Sequence, residues 1–454
     1  MEYCFSIEEP VSQFIQLLGV NNVYPVGGTV RDIVQGKKPK DYDFAITDFN
    51  RALKLAQELG LPIHEDGLKY GVIRIGDKYD FATMRREEYN TVSKPEVELG
   101  ASIYEDARRR DFTINSMYGK ITSVNGNTIC FEPIDFFNGM EDLKNRVLRF
   151  VGNPVERINE DPIRILRAIR FMLKGYQMPP EQQEILKEMK EKLNEEPVEK
   201  IRDELTKILL LNPAEGFKKL QEFGLLNHLF RGHEKAMSET FHDNRGSHYG
   251  ESVLQHTYDA LKRLTERGDY DLIDVLATLY HDVAKPYTRT ERKGKIMFIG
   301  HDEKGQELAE EILRELRFDN NTIRDVTNLI GLHMKMNMNK NSEEGHAKII
   351  AELAELYNYN PYKVREMYNR LIKLSEVDTG EKVPINLSER ITPPVVNGKM
   401  LMEWFGVGGE VLRHLKKRAY ELQLLGYTPE QIYRTLKGDM KLYEYLKNKQ
   451  KLEA

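Results

Sequence analysis

The apolar run at residues 23–26 stops at Gly27-Gly28, a pattern that predicts a buried strand running into a turn. Helix-compatible residues follow as far as Gly36 and Pro39. Residues 41–46 (Asp-Tyr-Asp-Phe-Ala-Ile) then predict a second strand. Along a strand, positions i and i+2 face the same way, so Asp41 and Asp43 share one face while Tyr42 and Phe44 pack on the other. Residues 7–18 predict a short amphipathic helix, and residues 49–59 another that Gly60 stops. Residues 70–75 and 78–83 read as two strands joined at Gly76-Asp77, with Asp80 between aromatic neighbours in the second. If that strand runs beside the Asp41/Asp43 strand, Asp80 is a third acid of one site; otherwise it is a strand-end aspartate facing water. Residues 85–105 lack periodicity and predict a mobile loop, and residues 146–151 a short strand.

Further along, the pattern turns helical. Asp161 is a good N-cap and Pro162 suits a first helical position, so a helix is expected from there through Phe171. Arg164, Arg167 and Arg170 recur every three residues and lie along one side of it. Residues 181–230 are helical and highly charged. An apolar helix at residues 276–280 ends on His281-Asp282, and His256, His301 and His333 fall on other helices. Pro393-Pro394 breaks the pattern and marks a linker before the last helices.

With 454 residues, the chain exceeds one hydrophobic core, and two to four domains are expected. Hydrophobic residues make up 40% and charged ones 31%, which fits a soluble, largely helical protein. No apolar run is long enough to cross a bilayer, and the acidic start shows no secretory signal. Cys4 and Cys130 are the only cysteines, which suits a reducing cytoplasm and predicts no disulfide scaffold. The net charge of −5 argues against a sequence-blind nucleic-acid coat. Residues 399–454 carry eleven Lys/Arg against seven Asp/Glu, a modestly basic tail.

Two carboxylates side by side repel unless a hard cation lies between them, and Mg²⁺ is the usual one where phosphates are present. Gly27 and Gly28 leave the backbone open to a triphosphate, and paired acids beside a glycine turn equip a site for two-metal nucleotidyl transfer. Arg108, Arg109 and Arg110 make most sense with a polyphosphate between them and the acids.

The order Gly27-Gly28-Thr29-Val30-Arg31-Asp32, Gly36, Asp41-Tyr42-Asp43 resembles the signature of class II tRNA nucleotidyltransferases and bacterial poly(A) polymerases. Arg109, Arg110, Asp111 and Asn115 stand in register with that family's Arg-Arg-Asp motif, with Ser116 where alanine is common. Glu160-Asp161, Arg164, Arg167 and Arg170-Phe171 resemble its nucleotide-reading motif. The resemblance implies that Asp161 and Arg164 pair with the Watson–Crick edge of the incoming base, with Arg167 and Arg170 near base or triphosphate. It implies Asp41 and Asp43 as ligands of two Mg²⁺, and Gly28, Arg31 and Arg110 as holders of the triphosphate.

The His-Asp pair with outlying His and Asp resembles the HD phosphohydrolase superfamily, with Ala284 in place of a common glycine. That implies a site for a divalent transition metal or Mg²⁺ with ligands His256, His281, Asp282 and Asp378, and His301 and His333 as substrate contacts or second-metal ligands. The expected fold is α+β: a small mixed-sheet nucleotidyltransferase head (1–140), then a nucleotide-reading helical neck (141–230), an HD domain (231–384) and a helical tRNA-binding tail (385–454). The implied activity is addition of 3′-terminal CCA to tRNA from CTP and ATP by a cytoplasmic enzyme of bacterial type. Alternatives are A-only or CC-only addition, poly(A) synthesis, or an HD phosphohydrolase acting on RNA ends.

Overall fold

The computed structural model describes residues 1–88, 96–99, 102–242 and 250–453. They fall into two compact units, Met1–Glu204 and Leu205–Ala454.

The first unit holds three sheets. β1 (Tyr3–Ser6) pairs with a hairpin described below. β2 (Val23–Pro25), β3 (Tyr42–Ile46), β4 (Ile63–His64), β5 (Val72–Ile75) and β6 (Tyr79–Thr83) form a mixed sheet in the order β2-β3-β6-β5-β4. Its one parallel pair is β3 with β6, which puts Asp43 opposite Asp80. The predicted alternation holds: Tyr42 and Phe44 are buried while Asp41 and Asp43 are exposed. Behind the acids runs an aromatic ladder, with Phe5 against Tyr42 and Phe44, Tyr42 against Tyr79, and Phe44 stacked 4.8 Å from Phe81. Such pairs add stability beyond their buried area, so the two carboxylate strands sit on a stiff support.

Residues 85–105 are not simply a loop. β7 (Arg85–Glu88) and β8 (Glu96–Leu99) pair antiparallel, while residues 89–95 and 100–101 lie outside the described residues. β9 (Tyr118–Asn125) and β10 (Thr128–Ile134) form a hairpin, and β1 joins its β10 edge with Cys4 opposite Cys130. These two cysteines are bonded as a disulfide, contrary to the reading of two cysteines kept in a reducing setting. The register of β1 on β10 brings them together across 126 residues.

The helices of this unit are α1 (Glu9–Leu18), α2 (Gly28–Val34), α3 (Phe49–Glu58), α4 (Ile103–Arg108), α5 (Gly139–Lys144), α6 (Pro154–Glu160), α7 (Arg164–Leu173), α8 (Pro180–Glu188) and the start of α9 (Val198–Leu211). Residues 146–151 do not form the expected strand and make only isolated bridges, Val147 to Gln177 and Phe112 to Phe150.

Among the described residues the second unit is helical apart from one small hairpin of β11 (Arg289–Arg292) and β12 (Lys295–Phe298). Its helices begin with α10 (Pro213–Glu222), α11 (Asn227–Phe230), α12 (Glu234–Glu239), α13 (Val253–Arg267), α14 (Leu272–Tyr280) and α15 (Lys285–Thr288). They continue with α16 (His301–Glu315), α17 (Asn320–Met338), α18 (Glu343–Leu356), α19 (Pro361–Thr379), α20 (Gly398–Phe405), α21 (Gly409–Leu424) and α22 (Pro429–Glu453). Among the described residues no helix is long and apolar enough to cross a membrane.

Candidate active site

The acids come first. Asp43 is the second residue of β3 and its backbone N–H donates to Thr29 Oγ1 at 2.8 Å, which locks the strand to α2. Solvent reaches the Asp43 carboxylate, yet burial by surrounding protein and then the charge of Asp80 push its pKa up; Asp41 adds to this and Arg110 opposes it. Asp80 is also raised, by burial against the pull of Arg74, whose guanidinium lies 3.1 Å away. Three acids thus crowd one edge of the sheet with an incomplete set of counter-charges. Oxygen donors at an exposed edge suit a hard divalent cation, and their mutual destabilisation is what such a cation relieves.

The glycine turn faces the same side. Gly27 has φ +57°, and a side chain there would start 3.1 Å from Arg110 Nη1 and 3.3 Å from the Asn115 carbonyl. Glycine is therefore required on both conformational and steric grounds. Arg110 and Arg109 each reach buried Asp106, at 3.3 and 2.7 Å, and Arg110 Nε donates to the Tyr118 hydroxyl at 3.2 Å.

A chain of side-chain hydrogen bonds runs from this turn to α7. Arg31 Nη1 donates to Asn115 Oδ1 (2.5 Å), Asn115 Nδ2 to Asp111 Oδ1 (3.2 Å), and Arg167 Nε to Asp111 Oδ2 (2.7 Å). Asp111 is buried. Burial pushes its pKa up, but the Arg167 charge and hydrogen bond more than offset this and hold it below the usual carboxylate range. The acid edge, the glycine turn and α7 therefore belong to one bonded assembly.

The α7 arginines do not all point into the open. Arg164 is buried and donates to the carbonyls of Arg157 (2.9 Å) and Arg109 (2.5 Å) and to Glu160 (3.0 Å). Arg170 pairs with Glu204 at 2.9 Å. Arg167 keeps its Nη groups beyond the Asp111 bond, at 31% side-chain exposure. Asp161 is not the N-cap of α7. It ends α6 as its C-cap, and Ile163 takes the N-cap place without a side-chain bond, because Pro162 and Ile163 form the intervening turn.

Sequence reasoning missed Lys174, one turn beyond Arg170. Lys174, Arg31 and Arg170 all approach the Phe171 ring, at 5.1, 5.3 and 5.3 Å. Burial, then the charges of Arg170 and Arg31, lower the Lys174 pKa to about 8. A crowd of like charges at a cleft is stabilised by a polyanion. Binding of a polyanion such as a nucleotide there should therefore weaken as pH rises through about 8, where free Lys174 loses its proton. Lys174→Met should weaken binding about tenfold and flatten that pH dependence, as a nucleotide titration would measure.

In the second unit, His256 (α13), His281 and Asp282 (after α14) and Asp378 (last turn of α19) bring one ligand atom each within 4.8 Å of one another; Asp282, His301 and His333 do the same. His256 Nε2 lies 2.7 Å from Asp378 Oδ1 and 3.3 Å from Asp282 Oδ2, and His281 Nε2 lies 3.1 Å from both. The Nδ1 atoms of His281, His301 and His333 face the carbonyls of Thr278, Phe298 and Ile330, leaving Nε2 as the ligating nitrogen in the neutral ring. Both Asp282 oxygens are buried and accept no hydrogen bond, although Lys285 Nζ lies 3.1 Å away. Buried, unsatisfied carboxylate oxygens facing imidazole nitrogens fit a divalent metal. The centre lies beside a cavity of about 540 Å³, walled in part by Phe298, Lys285 and Lys340.

Three family models match the chain in order: the poly A polymerase head domain at residues 23–149, the probable RNA and SrmB-binding site of polymerase A at 175–237, and the HD domain at 253–379. The A-adding tRNA nucleotidyltransferase of Deinococcus radiodurans is 29% identical over 421 residues, 86% of this chain and 89% of that protein. The chain thus joins a poly A polymerase head domain to an HD domain. Poly(A) polymerase I of Salmonella typhi is 34% identical over 46% of each chain, so that alignment spans about half of the relative. The Bacillus stearothermophilus CCA-adding enzyme, solved with CTP, superposes with a TM-score of 0.63 over 97% of this chain and 100% of that one, at 19% identity. This nucleotidyltransferase thus shares its fold with CCA-adding enzymes.

Proposed function

We propose that the protein adds the 3′-terminal CCA of tRNA from CTP and ATP, selecting each nucleotide with its own side chains. The observation that carries the reading is the bonded path from the Gly27-Gly28 turn through Arg31, Asn115 and Asp111 to Arg167, which ties acid edge and reading helix into one site. In this reading Asp41 and Asp43, with Asp80 beside them, hold two Mg²⁺, which when bound acidify the attacking hydroxyl and neutralise the leaving pyrophosphate. Arg31 and Arg110 bind and orient the triphosphate along the turn left open by Gly27 and Gly28, with Arg170 and Lys174 adding charge at its far end. Asp161 accepts from the exocyclic amine that cytosine and adenine share. Arg164, through the N–H groups left beyond its backbone bonds, and Arg167 donate to the ring edge.

We assign residues 1–140 to the head, 141–230 to the reading neck, 231–384 to the HD domain and 385–454 to a tRNA-binding tail, in a cytoplasmic enzyme. Supplying a tRNA that ends before its CCA with CTP, ATP or both, and sequencing the product, tests this. CMP from CTP alone and CCA from both is expected. AMP alone on a CC-ended acceptor points to A-only addition, and a long A-tract to poly(A) synthesis.

The HD centre supports a second activity, metal-dependent hydrolysis of a phosphate ester at RNA ends. His256, His281, Asp282 and Asp378 would hold the metal, and Lys285 would orient the ester. Asp282→Asn should lower metal affinity by more than the roughly 10–100-fold that loss of an outer-shell partner costs, read as metal per chain by elemental analysis. Undiminished metal content would exclude Asp282 as a ligand.

A further inference from the structure

Glu196 precedes α9 in a charged stretch and carries no motif. Its side chain is only 8% exposed. Oε1 accepts from the Ile163 backbone N–H at 3.2 Å, in the turn that holds Asp161. Burial, then the interaction with the Asp161 carboxyl, raise the Glu196 pKa. Asp161 Oδ1 is buried and receives no hydrogen bond from any donor group. Two carboxyls in contact bond only if they share one proton. The charged groups facing them are Lys200, 3.6 Å from Glu196 Oε2 and 3.9 Å from Asp161 Oδ1, and Arg167, whose field reaches Asp161.

We propose that Glu196 is a positioning residue for base selection: its carboxyl donates the shared proton to Asp161 Oδ1 and turns Asp161 Oδ2 outward as a fixed acceptor. The proposal rests on Asp161 reading the base. The Ile163 N–H holds Glu196 Oε1, so the other Glu196 oxygen carries the proton. With the shared proton on Glu196, Lys200 balances the remaining charge of the pair. Fixed as an acceptor, Asp161 Oδ2 favours bases that present an amine, cytosine and adenine, over uracil, which presents a carbonyl there. A protonated or rotated Asp161 would lose that preference.

The test uses the full chain and a tRNA lacking its CCA end. Glu196→Ala should raise KM for CTP and ATP about tenfold with kcat little changed, the worth of one lost charge-assisted hydrogen bond, and raise UMP misincorporation. Glu196→Gln, whose amide donates to Asp161 at every pH while its carbonyl accepts from Ile163, should restore KM and selectivity. It should also flatten the dependence of KM on pH above the ordinary carboxylate range, where a raised carboxyl titrates. Unchanged KM and selectivity in Glu196→Ala overturn the proposal, as does a Glu196→Gln protein as impaired as the alanine variant. If Glu196→Ala does not fold, Glu196→Gln decides alone: a tenfold KM loss overturns the proposal and a flat pH profile supports it. Asp161→Ala separates the two levels. If it loses base choice while Glu196→Ala does not, only the role of Glu196 fails; if it keeps base choice, the underlying reading fails too.

Discussion

Asp43→Ala is expected to lower nucleotide incorporation about a thousandfold or more while leaving the first unit folded. A metal-bound carboxylate at the reaction centre contributes several kcal/mol to the transition state, and each roughly 1.4 kcal/mol is a factor of ten. The fold should not suffer, because Asp43 rests on an aromatic ladder it does not belong to and is itself destabilised by burial and by Asp80 and Asp41. Its folded-state pKa lies above the unfolded one, so the folded state binds the extra proton, and the wild-type head gains stability as pH falls through that range. The variant should lose this gain and melt no lower than wild type at neutral pH. Single-turnover incorporation with a parallel thermal melt measures both. Retained activity would show that the acids of β3 do not carry the chemistry.

The second large effect concerns stability. Asp111 accepts from the Phe112 N–H (2.7 Å), from Asn115 and from Arg167, all in a buried setting. Asp111→Ala should destabilise the first unit by about 3 kcal/mol, the cost of leaving a partner of a buried pair alone, and lower its melting temperature by roughly 6–12 °C. The pH sign is opposite to that of Asp43. Because the folded pKa of Asp111 is lowered, its contribution is present above the ordinary carboxylate pKa of about 4 and is lost as pH falls through the folded value. Wild type and variant should therefore converge in stability in acid. Calorimetry of the first unit's transition across pH checks this.

The local elements of the head were legible because each is short and periodic, and because β2, α2, α3 and β5 run into a glycine; these four, with β3 and β6, lie where the apolar pattern puts them. The β9/β10 hairpin went unread although Asn125-Gly126 is a strong turn signal between alternating residues. The Cys4–Cys130 pairing depends on strand register over 126 residues, which no local pattern encodes. On α7 the three-residue spacing put the arginines on one side correctly. It said nothing of their partners, and Glu160, Asp111 and Glu204 take most of their hydrogen bonds. Asp161 followed the rule for a capping aspartate, but the chain makes an extra turn at Pro162-Ile163 and the residue closes α6 instead. Lys174 and Glu196 were invisible for a common reason. Each matters only through charges that tertiary packing brings to it.

The same packing argument explains why the His/Asp residues that the second unit brings together could be named from the sequence. Histidine and aspartate are costly to bury unpaired, so a cluster of both in apolar helices points to a shared ligand. Positions alone could not show that Asp282 stands in both groups of residues able to hold a metal.

The most direct test is a structure of the full chain with CTP and Mn²⁺, using anomalous scattering to locate the metal. Manganese at Asp41 and Asp43, with the cytosine amine at Asp161 and the triphosphate along Gly27, Gly28 and Arg31, is the predicted result. Nucleotide bound with its base away from Asp161 and Arg164, or metal absent from the β3 acids, would contradict it.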